Sequence, residues 1–196
     1  MKRKFENSIG SILAAPKYSA CYAALARDRI IFVSEVITND LASSFSGLLM
    51  HYDHVNQGEE IQVYINTDGG DSSALSHILD IMNMVISPIS TICIGKAYSA
   101  GAFILAAGTK GKRFITKNAS VMIHGVQCEF PTNRYTDQRN SQIYYDFLKS
   151  ADKLVFKQLA EHTGKTYEQI CEDCKKDTYF DAAAAKNYGL VDEIIG

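Results

Sequence analysis

Residues 61–94, IQVYINTDGGDSSALSHILDIMNMVISPISTICI, decide the fold. The run 61–66 is short, apolar and β-branched, and Asp68-Gly69-Gly70 breaks it. From 72 to 86 the apolar residues Leu75, Ile78, Leu79, Met82 and Val85 recur at spacings of three and four until Pro88 stops the period. A second strand-like run, 89–94, follows at once. Strand, helix, strand in this order reads as a right-handed crossover, which makes its two strands parallel.

The same alternation extends outward. Further strand-like runs are RIIFV (29–33), KRFIT (112–116), SVMIH (120–124) and LVDEII (190–195). Helical periods cover 39–56, with Asn39 and Asp40 as cap candidates, and 136–162, opening at Thr136 or Asp137 and ending at Gly164. A helix also starts near Ser99 in SAGAFILAAG. Thr166 and Gln169 form a capping box for a shorter helix, and Asp181 caps the last one, AAAAKNY, which stops at Gly189. The fold class is α/β with a mostly parallel sheet.

No repeat, low-complexity tract or Pro/Gly-rich linker divides the 196 residues, so one domain is expected from 29 to 196. Residues 1–28 read as an arm, flexible or processed. Lys2, Arg3 and Lys4 begin like a secretory signal, but Glu6, Asn7, Ser8 and Gly10 interrupt the apolar stretch that such a signal needs. A cytoplasmic protein is expected. The net charge of −2 gives no electrostatic case for nucleic acid or an anionic membrane, and no apolar run approaches the ~20 residues of a bilayer span. Five cysteines, an odd number, argue against a disulfide framework. Cys171 and Cys174 form a lone C-x-x-C with no histidine at ligand spacing, so no metal is expected; Cys93 reads as core.

Ligands of parallel sheets sit beyond the carboxyl ends of the strands, and three features fall there. The turn NTDGGD (66–71) lacks the pattern of a phosphate loop. Gly70 serves either as a plain turn residue or as a bare N–H offered to an oxyanion. Ser99 serves either as a helix N-cap or as a nucleophile in the positive field of the helix start, with the N–H of Ala100 free beside it. His124, at the end of SVMIH, is placed to act as its general base. His51, His54, His77 and His162 read as helix-surface residues. A third group that fixes the imidazole tautomer would come from Asp173, Asp177 or Asp181; spacing does not choose among them.

These residues lie in blocks that resemble the Clp-type proteolytic subunit family: VYINTDGG (63–70), STICIGKAYSAGAFILAAGTKGKRF (90–114), NASVMIH (118–124), AEHTGKTYEQI (160–170) and AKNYGLVDEI (185–194). The resemblance implies a crotonase-like fold of repeated ββα units with a protruding handle. It also implies a serine endopeptidase whose triad falls on Ser99, His124 and Asp177, with oxyanion amides on Gly70 and Ala100. Heptameric rings that stack around a chamber, unfolded polypeptides or short peptides as substrates, and an AAA+ unfoldase as partner follow from it. The hydrolytic subunit needs no cofactor, since ATP belongs to the partner. The unfoldase would dock on Tyr64 and Phe114, although Gln62 stands where an aromatic is usual.

The chain departs from the family after His124, where GVQCEFPTNRYT replaces the usual Gln-Pro and glycine pair, making 125–150 a divergent handle. Lys175-Lys176 replaces an acidic–basic pair used in ring contacts, and Tyr98 replaces a small residue before the serine. Those departures keep a non-catalytic scaffold, co-assembled with an active paralogue, as the alternative. A serine–lysine peptidase using Lys96 or Lys110, and a crotonase-class hydratase, explain fewer of the residues.

Overall fold

The crossover expected over 61–94 forms. In the computed structural model, which describes residues 19–125 and 138–196, β2 (Ile61–Thr67) leads through α3 (Ser72–Met84) into β3 (Ile89–Tyr98), and the two strands pair in parallel. Asp71 caps α3 by accepting from the Ala74 N–H at 2.8 Å. The preceding elements are α1 (Ser19–Arg27), β1 (Ile30–Val33) and α2 (Asn39–Val55). After β3 come α4 (Ala100–Ala106), β4 (Arg113–Thr116), β5 (Ser120–Ile123), α5 (Gln138–Thr163), α6 (Tyr167–Asp173), β6 (Thr178–Asp181), α7 (Ala182–Tyr188) and β7 (Glu193–Ile195).

Among the described residues seven strands join in one sheet, ordered β1-β2-β3-β4-β7, with β5 on the far half of β3 and β6 beyond β5. Every pairing is parallel except β5 with β6. Strand β3 is therefore shared. Its first half, Thr91 to Cys93, pairs with β4, and its second half, Lys96 to Tyr98, pairs with β5. The change of partner falls at Gly95, held at φ 87°, where a Cβ would meet Asn66 Oδ1 at 2.9 Å. Glycine alone fits both demands. The expected strand end at Gly95 is thus a bend instead, and β3 runs on to deliver Ser99 beside β5.

One face of the sheet is the core. Ile61, Val63 and Ile65 alternate inward along β2 and join Cys93, Ala97, Ile115, Val121 and Ile123 against Leu49, Ile78, Ile104 and Leu105 of the helices. The other face carries Gln62, Tyr64 and Phe114, half exposed. Burial pushes the Cys93 thiol up to about 12, in keeping with its role as a core residue.

Several local expectations shift. The cap of α2 is Thr38, whose hydroxyl accepts from the Leu41 N–H at 3.2 Å, one residue before Asn39. Thr166 caps α6, but Gln169 donates forward to Asp173 rather than back, so the box is half made. Strand β7 is shorter than LVDEII, because Leu190 and Val191 are buried in the approach to it. Asp181 caps α7 as expected, accepting from Ala184 at 2.8 Å. His162 is half-buried rather than solvated, and desolvation, then the Arg113 charge, holds its imidazole below the usual range. Cys128 and the start of the 136–162 helix lie outside the described residues, as does most of the 1–28 arm. Within that arm Ser19–Arg27 is helical, and Ala26 is buried.

Candidate active site

Three strand ends converge. The parallel register of β3 on β5 sets Tyr98 beside Met122, and the Ser99 N–H donates to the Met122 carbonyl at 2.8 Å. The antiparallel register of β5 on β6 sets Ile123 opposite Thr178, so the next step of the ladder faces His124 toward Asp177. Ser99, His124 and Asp177 thus stand at the ends of neighbouring strands, drawn from distant parts of the chain by sheet pairing.

Ser99 has a backbone unlike that of an N-cap. Its φ is 52° and its ψ −123°, where caps are extended, and its hydroxyl makes no cap bond to α4. A serine in that region is strained by about 1–3 kcal/mol. Its Oγ lies 2.8 Å from Nε2 of His124 instead. The imidazole is largely buried, at 14% exposure, whereas the Asp177 carboxyl is 45% exposed. Nδ1 of His124 lies 3.6 Å from Oδ1 of Asp177, beyond hydrogen-bond length, and has no hydrogen-bond partner among the described residues. Asp173 and Asp181 are engaged elsewhere, the first by Tyr188 and Gln169, the second as the α7 cap.

The glycine turn packs under the serine. A Cβ on Gly69, whose φ is 102°, would meet the Ser99 Cβ at 2.7 Å and the Ala100 nitrogen at 3.1 Å. A Cβ on Gly70 would strike the Ile37 carbonyl oxygen at 2.1 Å. Ile37 bridges to Gly70 in parallel fashion: its N–H donates to the Gly69 carbonyl at 2.9 Å, and its carbonyl accepts from Asp71 at 2.8 Å. That bridge uses the amides on either side of Gly70 and leaves Gly70's own N–H out. The N–H of Ala100, at the first position of α4, has no intrahelical acceptor. The glycine turn and the start of α4 thus lie against each other at Ser99.

Lys96 is occupied by Asp68, its Nζ 2.6 Å from Oδ1 and 2.7 Å from Oδ2, on the exposed rim. The Tyr98 hydroxyl is 2.8 Å from Ser120 Oγ, and its ring meets Tyr179 edge-on at 5.7 Å. Among the described residues no group of three or more His, Cys, Asp or Glu is gathered as a metal would require, and no helix is long and apolar enough to cross a membrane.

A family model described as Clp protease matches residues 14–196. The chain belongs to the Clp protease family. It is 38% identical over 174 residues to the ATP-dependent Clp protease proteolytic subunit 1 of Cutibacterium acnes (strain DSM 16379 / KPA171202), covering 89% of this chain and 80% of that protein. Against the ATP-dependent Clp protease proteolytic subunit 2 of Prochlorococcus marinus (strain NATL2A) it is 36% identical over 176 residues, covering 89% and 86%. Clp protease family members are serine peptidases, and this chain is one.

The docking candidates of this Clp family chain sit in one row across the sheet, where Phe32, Tyr64, Ile92 and Phe114 are register partners. Phe32 and Tyr64 stack at 5.3 Å, and Tyr22 of α1 meets Phe32 edge-on at 5.0 Å. Gln62 accepts from the Tyr64 hydroxyl at 3.4 Å. Phe32 and Tyr22 join this row only through the fold: the outward position of Phe32 in RIIFV becomes informative once the strand order is known.

Proposed function

We propose that this chain is the peptide-cutting subunit of an ATP-dependent protease and that Ser99 is its nucleophile. The Ser99 hydroxyl donates to Nε2 of His124, which takes the proton as Oγ attacks the scissile carbonyl. The N–H groups of Gly70 and Ala100 receive the oxyanion. The imidazolium returns the proton to the leaving amine, and a water, activated by the same nitrogen, releases the acyl group. Asp177 orients the ring, keeps the Nδ1–H tautomer and balances the charge formed on it. No metal or organic cofactor takes part in these steps.

One observation carries the reading: a serine withheld from capping, at φ 52°, with its hydroxyl 2.8 Å from a largely buried imidazole. The substrates are unfolded polypeptides and short peptides, and the setting is cytoplasmic. The half-exposed face of the sheet supports an assembly, because parallel sheets are ordinarily covered on both faces. Heptameric rings that stack would cover it, with an AAA+ unfoldase docking on the row that holds Tyr64 and Phe114. Hydrolysis of labelled casein and of a short fluorogenic peptide by the assembled chain tests the assignment. Ser99→Ala abolishes both at unchanged assembly size; hydrolysis retained by that variant contradicts it.

A further inference from the structure

The turn that carries Asp177 has few anchors, and they are specific. The Thr178 hydroxyl donates to the Asp173 carbonyl at 2.8 Å, clipping the turn between α6 and β6 shut. Asp173 is in turn held by its carboxylate, which accepts from the Tyr188 hydroxyl at 2.6 Å and from Gln169 Nε2 at 2.9 Å. Inside the turn the Cys174 carbonyl accepts from the N–H of Gly125 at 2.8 Å, the residue after His124. The Asp177 carboxylate itself has one ionisable neighbour within 4 Å among the described residues, His124 at 3.6 Å. Its position is therefore set by the backbone of the turn and by what clips it.

We infer that Thr178 and Asp173, with Tyr188 behind them, are positioning residues of the peptidase: they set the separation between His124 and Asp177. The inference rests on the assignment of those two residues to the triad. Hydrogen bonds to a ring nitrogen form near 2.9 Å and are lost by about 3.6 Å, so a shift of well under an ångström in this turn makes or breaks the contact. Tyr188 suits the task. Burial, then its bond to Asp173, holds its phenol far above the usual range, so it remains a donor wherever the enzyme works. It also tilts on Phe180 of β6 at 4.7 Å, coupling α7 to the strand that begins at Thr178.

The test is the phosphonylation of Ser99 in the assembled full-length chain by a fluorophosphonate, resolved into the limiting rate constant kinact and the half-saturating concentration KI. Thr178→Val keeps a β-branched strand residue and removes only the hydroxyl. It is expected to lower kinact about tenfold or more with KI unchanged, as sub-ångström displacement of a reacting group does. Thr178→Ser restores kinact. Tyr188→Phe, which leaves the turn and β6 untouched in sequence, lowers kinact in the same sense. Asp177→Asn is run beside them. If it reacts like the unsubstituted chain, the triad assignment falls and the inference with it. If Asp177→Asn is slow while Thr178→Val reacts normally, or if the Thr178→Val loss is shared with KI or not recovered by serine, the positioning role alone is overturned.

Discussion

Nδ1 of His124 and Oδ1 of Asp177 stand 3.6 Å apart across the end of an antiparallel ladder, with the nitrogen buried and without a hydrogen-bond partner among the described residues. On its other side the same ring is already 2.8 Å from Ser99. A buried polar nitrogen left unpaired costs about 1–3 kcal/mol, so closure of this gap is favoured whenever the turn can move. Of the two contacts the proposed triad requires, the one to Ser99 is made and the one to Asp177 is one short step away.

Asp177→Asn is expected to lower kcat by about a thousandfold or more, because an amide can hold the imidazole in the wrong tautomer. Melting temperature and assembly size stay those of the parent chain, since the residue is half exposed and forms no other ion pair among the described residues. Peptide turnover together with thermal unfolding checks both halves of the statement.

Gly69→Ala should damage stability and activity together. The added Cβ meets Ser99 Cβ at 2.7 Å and the Tyr98 carbonyl oxygen at 2.9 Å, and the backbone is held at φ 102°. Relief must come from displacing the segment of Tyr98 and Ser99. A loss of about 1–3 kcal/mol in denaturant unfolding is expected from the backbone alone. An active, fully stable Gly69→Ala chain would show that this turn does not support the serine.

Lys96 offers a contrast. Its ion pair with Asp68 lies on the exposed rim, where such pairs contribute about 0–1 kcal/mol. Lys96→Ala is expected to keep peptide turnover within about twofold and to leave stability nearly unchanged. A collapse in turnover would restore the serine–lysine reading.

Acid stability should follow the half-buried pair that joins β4 to the approach of β7. Arg113, 3% exposed, donates through Nη2 to Asp192 Oδ1 at 2.6 Å and through Nε to Oδ2 at 2.9 Å. Burial alone would raise the Asp192 carboxyl; the Arg113 side chain and charge, with the Arg113 and Gly111 amides, outweigh it and bring the group below the usual range. A carboxyl depressed on folding adds stability above its unfolded value near ~3.9, and that stability is lost as pH falls through the folded value. Asp192→Asn should therefore be less stable than the parent at pH 7, and the difference should shrink below about pH 4. Urea unfolding at the two pH values measures it.

The parallel sheet was legible because each crossover carries its own local signals, as in 61–94. What escaped was the strand that places Asp177. In TYFD only Phe180 points into the core, Tyr179 is 61% exposed and Asp181 doubles as a helix cap, so four residues show no period that separates strand from loop. Spacing could not separate Asp177 from Asp173 and Asp181 for the same reason: which of them faces His124 lies in the register of β6 on β5, a long-range pairing that a local pattern does not encode. The two readings of Ser99 were likewise indistinguishable in sequence, since capping and nucleophilic serines share the position before a helix. The structure sets the capping reading aside, by one backbone angle and by the absence of a cap bond, and the nucleophile reading rests on the partner of one oxygen.

The central claim, that Ser99 is an activated nucleophile, is tested most directly by treating the assembled chain with a fluorophosphonate and locating the adduct by intact mass and peptide mapping. The account predicts one adduct per chain, on Ser99, absent from His124→Ala. An assembled chain that stays unlabelled, or one labelled at another serine, would contradict it.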